Sequence, residues 1–188
     1  MGNGLVVAEI ALAFALLVGG ALLMKNLLML QARDAGITAD RVVTFDLAPS
    51  GPRYADTAAV RALYSEVTAR LAAIGGVQHV GTVSHLPMWR FGNNGEMQIE
   101  GQAPWEANAA PLVEYRWYSG DYFKALGIPL VSGRMLDARD HGENARAVLI
   151  NRAMAEKFWP GEDAIGKRFG QGPDRSQWYE VVGIVGDI

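Results

Sequence analysis

The stretch GEDAIGKR, residues 161–168, has the G-x-x-x-x-G-K spacing of a phosphate-binding loop. In such a loop, backbone amides at a helix N-terminus cradle the phosphates, the lysine reaches the terminal ones, and a following Ser or Thr holds magnesium. The flanking residues do not supply that setting. NRAMAEKFWP, residues 151–160, reads as a helix ending at Pro160 where a strand is required, and RFGQGPD, residues 168–174, is too rich in Gly and Pro to open a helix. Arg168 stands where the hydroxyl should be, and Glu162 and Asp163 would put two negative charges inside the cradle. The stretch is therefore read as a turn between a helix and a strand.

The other residues able to do chemistry do not assemble by spacing. His79 and His85 lie six apart on one strand and its exit, too far for shared metal ligation, and His141 is not placed with them. Ser84-His85 suggests a hydrolase with Asp137 or Asp140 as third member. Neighbours on a strand point to opposite faces, however, and no nucleophile elbow of the G-x-S-x-G kind is present. The acidic pairs Glu162-Asp163 and Asp137/Asp140 read as solvated loop charges. Five tryptophans with Tyr115, Tyr118 and Tyr122 could line a ligand pocket, though packing and interface anchoring is their ordinary use. No catalytic, cofactor-binding or metal-ligating residue is assigned, and no cofactor is expected.

These residues must be positioned by a chain of 188 residues, enough for a packed core. The net charge of −3, with no basic stripe, argues against nucleic acid as a partner. The absence of cysteine excludes disulfides, thiol catalysis and Cys-type zinc sites. Residues 1–24 contain one charged side chain, Glu9. GLVVAEIALAFALLVGGALLM, residues 4–24, is long enough to span about 30 Å of hydrocarbon. A secretory signal fits poorly, because the start has no Lys or Arg, the apolar run is too long and no small-x-small cleavage site follows.

Apolar positions continue past the interface at Leu23, Leu27 and Leu30, and Gly36 offers a helix stop. A helix to about Arg33 overshoots the hydrocarbon by about 15 Å, which predicts a stalk carrying a folded domain, with residues 1–40 as span and stalk. Ala11, Ala15 and Gly19 form a ridge of small residues that would let another membrane helix approach. Glu9 lies about one turn inside, within reach of the headgroups.

From Arg41 the pattern changes. Residues 42–47, VVTFDL, read as a strand ended by the breaker PSGP. Asp56 caps a helix with its apolar stripe at Val60, Leu63, Tyr64, Val67, Leu71 and Ile74, stopped by Gly75-Gly76. Residues 77–84 read as the next strand, completing a β-α-β unit. Residues 87–111 are looser, with a short strand at 97–100. Leu112–Tyr118 alternates as a strand, 121–126 is a short helix ended by Gly127, 147–150 is a buried strand, Asn151 caps a helix through Phe158, and 178–185 is the last strand. The fold class is α+β: one N-terminal transmembrane helix with stalk, then residues 41–188 as a domain of a β-α-β unit plus short strands and helices. The chain stops straight after a strand.

The order of segments carries a resemblance. LVVAEIALAFALLVGGALL, RVVTFDLA, LYSEVTARLAAIGGVQHVGTVSHLP, YRWYSGDYFKALGIPLVSGRMLDARD, VLINRAMAEKFWPGEDAIGKRF and YEVVGIVGDI succeed one another along the chain. Together they resemble the MacB-type periplasmic core domain of FtsX-like ABC-transporter permeases, especially large orphan permeases in which the unit is duplicated. The most specific segments are 122–134 and 150–168. The resemblance implies four membrane spans with the domain between the first and second. It implies a cytoplasmic ABC ATPase that drives the helices, and stalks that pass motion to the periplasm, or mechanotransmission, for export or for lipoprotein and peptide handling. It also implies residence in the bacterial inner membrane and no enzymatic activity here. The implied partners are the ATPase, the other permease helices, a second copy or half, a periplasmic adaptor and membrane lipid. On this expectation the chain holds the first of four spans and stops inside its domain. The alternative is a single-span, membrane-anchored ligand- or protein-binding module using residues 89–118.

Overall fold

A computed structural model describes residues 2–31, 35–38, 40–87, 89, 92–106, 109–142, 145–171 and 177–188. The chain divides into two units, Met1–Ala35 and Gly36–Ile188.

The first unit is a single helix, α1 (Gly2–Gln31), of 30 residues. Its stretch Gly4–Leu30 is long and apolar enough to cross a membrane. The expected stripe at Leu23, Leu27 and Leu30 is wider than a stripe, because Leu27, Leu28, Met29 and Leu30 are all exposed. Successive helical residues are turned by about 100°, so these four cover every side. A helix apolar all round belongs in a nonaqueous environment. The helix end expected near Arg33 lies outside the described residues.

The second unit is α+β. Its main sheet runs β3 (Leu112–Tyr115), β2 (Asn93–Ile99), β7 (Arg168–Gln171), β8 (Gln177–Val185), β5 (Leu130–Gly133), and β6 (Ala147–Asn151) also pairs with β8. The β6–β8 pair is parallel and the others are antiparallel. A second, two-stranded sheet joins β1 (Gly81–Val83) to β4 (Tyr118–Gly120), with Gly81 opposite Gly120 and Val83 opposite Tyr118. Three helices accompany the sheets: α2 (Thr57–Ala72), α3 (Tyr122–Ala125) and α4 (Arg152–Phe158).

The caps fall where side-chain chemistry puts them. Asp56 accepts from the Ala58 amide at 3.1 Å to open α2 and Asn151 from the Met154 amide at 3.1 Å to open α4. The stripe Val60, Leu63, Tyr64, Val67 and Leu71 is half-buried, and Ile74 is exposed.

The strand expected at residues 42–47 does not form. These residues join no ladder among the described residues, and Val43 is 89% and Phe45 59% exposed. A β-rich composition makes a strand only where another strand meets it. Side-chain contacts hold the segment instead: the Tyr64 hydroxyl donates to the Leu47 carbonyl at 2.7 Å, and Val42 packs on the core. With 77–84 reduced to β1, the β-α-β unit is absent. The expected strand 112–118 is divided at Arg116-Trp117 into β3 and β4, which serve different sheets. Conversely, β2 begins at Asn93, and β7 occupies residues expected to be loop.

Two apolar clusters close the domain. Met97, Ile99, Ile150, Trp159, Ala164, Phe169 and Val181 form the larger. Tyr122, Leu126, Ile128 and Val185 form the smaller, with Ile37, Val42 and Val83 packed against it. β8 supplies both, through Val181 and Val185.

Candidate functional site

The residues of GEDAIGKR build a turn. Gly161 and Gly166 have φ of 77° and 81°. The amides a phosphate would need are already taken: Glu162 N–H donates to Trp159 O at 3.1 Å, Gly166 N–H to Val181 O at 2.8 Å and Lys167 N–H to Ala164 O at 3.2 Å. Ile165 N–H donates to the Asp163 carboxylate at 2.9 Å. Lys167 Nζ turns back onto Glu162 at 2.6 Å. Ala164, at the centre, is 1% exposed and plugs the larger cluster. β7 follows the turn where a P-loop would open a helix.

Ser84 and His85 meet different partners. The Ser84 hydroxyl oxygen accepts the Trp117 amide at 3.2 Å, while Ser84 N–H donates to Trp117 O at 2.8 Å. His85 offers its carbonyl to Arg116 Nε at 3.1 Å. His79 Nδ1 lies 3.2 Å from Asp121 Oδ2. The Asp121 carboxyl is held below its usual range, first by Lys124 and then by His79. Among the described residues no group of three or more His, Asp or Glu could hold a metal ion.

Asp137 stays largely solvated, as expected, but the Asp140 side chain is buried, and the two organise the turn after β5. Arg134 grips Asp140 with both terminal nitrogens, at 2.5 and 2.9 Å, and Asp140 in turn accepts the Asp137 amide at 2.9 Å. Asp137 accepts from the Arg139 amide and guanidinium. The Arg134 bond, then the backbone amide, bring the Asp140 carboxyl down to about 2. Arg139 holds Asp137 well below the carboxylate range. Of the aromatics, Tyr118 and Tyr122 meet Phe123 edge-on in the smaller cluster, and burial raises both phenols. Trp117 is 62% exposed and meets the Tyr115 ring edge-on at 5.2 Å.

The most constructed feature is the point where the domain begins. Gly36 has φ 69°, and a Cβ there would fall 1.8 Å from the Asp187 carbonyl oxygen. Thr38 N–H donates to Leu126 O at 2.7 Å. Gly127, at φ 67°, faces Thr38 so closely that a Cβ would stand 2.7 Å from its hydroxyl. The Asp187 carboxylate accepts from Asn151 Nδ2 and from the Ala153 amide, both at 2.8 Å. Sequence reading found Gly36 and Gly127 as helix stops and Asn151 as a cap. It missed Asp187 and Thr38, because nothing local marks a residue whose partners are over thirty positions away.

Fold and site define a class: an α+β domain headed by one candidate membrane helix. The chain belongs to the family of MacB-like periplasmic core domains, whose sequence pattern matches residues 4–188. No curated protein matches. Among solved structures, the periplasmic region of MacB from Actinobacillus actinomycetemcomitans is similar, at 16% identity and TM-score 0.45 over 65% of this chain and 50% of that one. The extracellular domain of the noncanonic ABC-type transporter YknZ from Gram-positive bacteria matches at 18% identity and TM-score 0.41, over 65% and 56%. The chain spans about half the length of those chains.

Proposed function

We propose that the protein contributes the first membrane span and stalk (residues 1–40) and periplasmic core (residues 41–188) of an ABC-type permease of the bacterial inner membrane. ATP hydrolysis by a cytoplasmic ATPase moves the permease helices, and α1 passes that motion to the domain by mechanotransmission, for export or for lipoprotein and peptide handling. The domain itself carries no catalytic, cofactor or metal residues on this reading. Its partners are the ATPase, the remaining permease helices, a second permease copy or half, a periplasmic adaptor and lipid.

One observation carries the reading: a single family pattern runs without interruption from residue 4, through the apolar helix, to residue 188. The lengths agree with it. The 27-residue apolar stretch Gly4–Leu30, interrupted by Glu9, Lys25 and Asn26, makes a helix of about 40 Å, against about 30 Å of hydrocarbon, which leaves about two turns for a stalk.

The deciding experiment is purification of the tagged protein from its native membrane in mild detergent, with identification of what accompanies it. A stoichiometric ABC ATPase supports the permease reading. Its absence, with a single species remaining, favours a membrane-anchored binding module. One observation speaks for that second reading: Trp89, Leu112 and Trp117 are 70%, 68% and 62% exposed, and large aromatics at a surface are common anchors for partners.

A further inference from the structure

We infer that Gly36, Ile37 and Thr38 form a rigid joint that welds the start of the domain to the end of β8 and to the α3–β5 turn. A displacement delivered at residue 36 would then move the main sheet as one body. The joint's use in coupling rests on the permease reading above; its rigidity does not.

Slack is the quantity that matters. Each unfixed residue in a tether can extend by about 3.5 Å, so a handful of loose residues would absorb a helix shift of one turn. Here the first residue of the domain is already in contact. Gly36 sits against the Asp187 backbone closely enough that no side chain fits between them. Two residues on, the Thr38 amide is bonded to Leu126, and Ile37 between them packs on the smaller core cluster.

Asp187 then distributes the load. Its carboxylate ties the end of β8 to Asn151, the last residue of β6, and to Ala153 in α4. Its neighbour Gly186 donates to Pro129 O at 2.9 Å, just before β5. β8 is in turn bonded to β5, β6 and β7. Every strand of the main sheet is therefore reached from residue 36 through close contacts and ladders. The segment that follows the joint, residues 42–50, joins no ladder among the described residues and meets the smaller cluster through Val42.

Native-state hydrogen exchange on the whole chain in detergent micelles tests this. In the wild type, the Thr38, Gly186 and Ala153 amides should exchange as slowly as the Val181 amide in β8, because they open only when the sheet opens. Gly36→Ala should accelerate all three by about tenfold or more and leave the Met97 amide, bonded to Pro111 O, unchanged. Asp187→Ala should release Ala153 and Gly186 while the hairpin β2–β3 stays protected. Free exchange of Thr38 in the wild type overturns the joint, and so does unchanged protection in Gly36→Ala. Neither result depends on whether an ATPase co-purifies. If exchange confirms the joint and no ATPase is found, it is the permease reading that fails.

Discussion

At the scale of single residues, the segments that look most like chemistry are engaged in packing. The turn GEDAIGKR separates the two roles cleanly. Lys167, the residue a nucleotide would need most, makes an exposed ion pair with Glu162. Such pairs contribute about 0–1 kcal/mol, so Lys167→Ala should leave the urea midpoint nearly unmoved. Ala164 is buried among Trp159, Phe169 and Val181, and Ala164→Leu should cost about 1–3 kcal/mol through overpacking. The reverse order of these two effects would return the lysine to functional candidacy. Asp140 gives a second test, in pH. Its side chain is 7% exposed against Arg134 and its carboxyl is brought down to about 2. A depressed carboxyl contributes fully above the ordinary value, about pH 4, and loses that contribution as the pH falls through the folded value. Asp140→Asn should therefore be less stable than wild type at neutral pH, with the difference closing between about pH 4 and 2. Denaturant midpoints across that range measure it; a gap of constant width would assign the pair no such role.

At the scale of elements, what was legible depended on where the stabilising partner sits. The helices and their caps are local. Asp56, Asn151 and the apolar spacing of α2 could be read from a few adjacent residues, and so could the long apolar run of α1. Strands need partners. β2 starts in Asn93-Asn94-Gly95, which reads as a turn, and becomes a strand because β3 and β7 flank it. Residues 42–47 have the right composition but no strand beside them among the described residues. The candidate site was legible in the same measure: Gly36 by its type, Asp187 not at all. This segment outside the sheets makes a prediction of its own. Since Val43 is 89% exposed, Val43→Lys in this chain should change stability by no more than about 0.5 kcal/mol. By contrast Met97→Ala, at a position 1% exposed in the paired strand β2, should cost about 2–5 kcal/mol. Equal losses at the two positions would mean that residues 42–50 are packed after all.

At the scale of the whole molecule, the apolar helix decides how the protein is handled. Alkaline carbonate should leave the protein in the membrane pellet and detergent should release it, since a helix apolar on all sides over Gly4–Leu30 does not partition to water. Recovery of a shorter, carbonate-soluble product would mean that the helix is removed. On the permease reading, Leu27→Asp or Leu30→Asp should abolish transport while nucleotide binding by the partner ATPase persists. Retained transport would remove the stalk from the coupling path. The sheet has one more consequence, for biogenesis. Among the described residues, β5 and β6 have no strand partner except β8, which lies at residues 177–185. A ribosome must therefore make the chain to about residue 185 before these strands can pair. Until then the growing chain has open strand edges and an unsealed core, a state prone to aggregation.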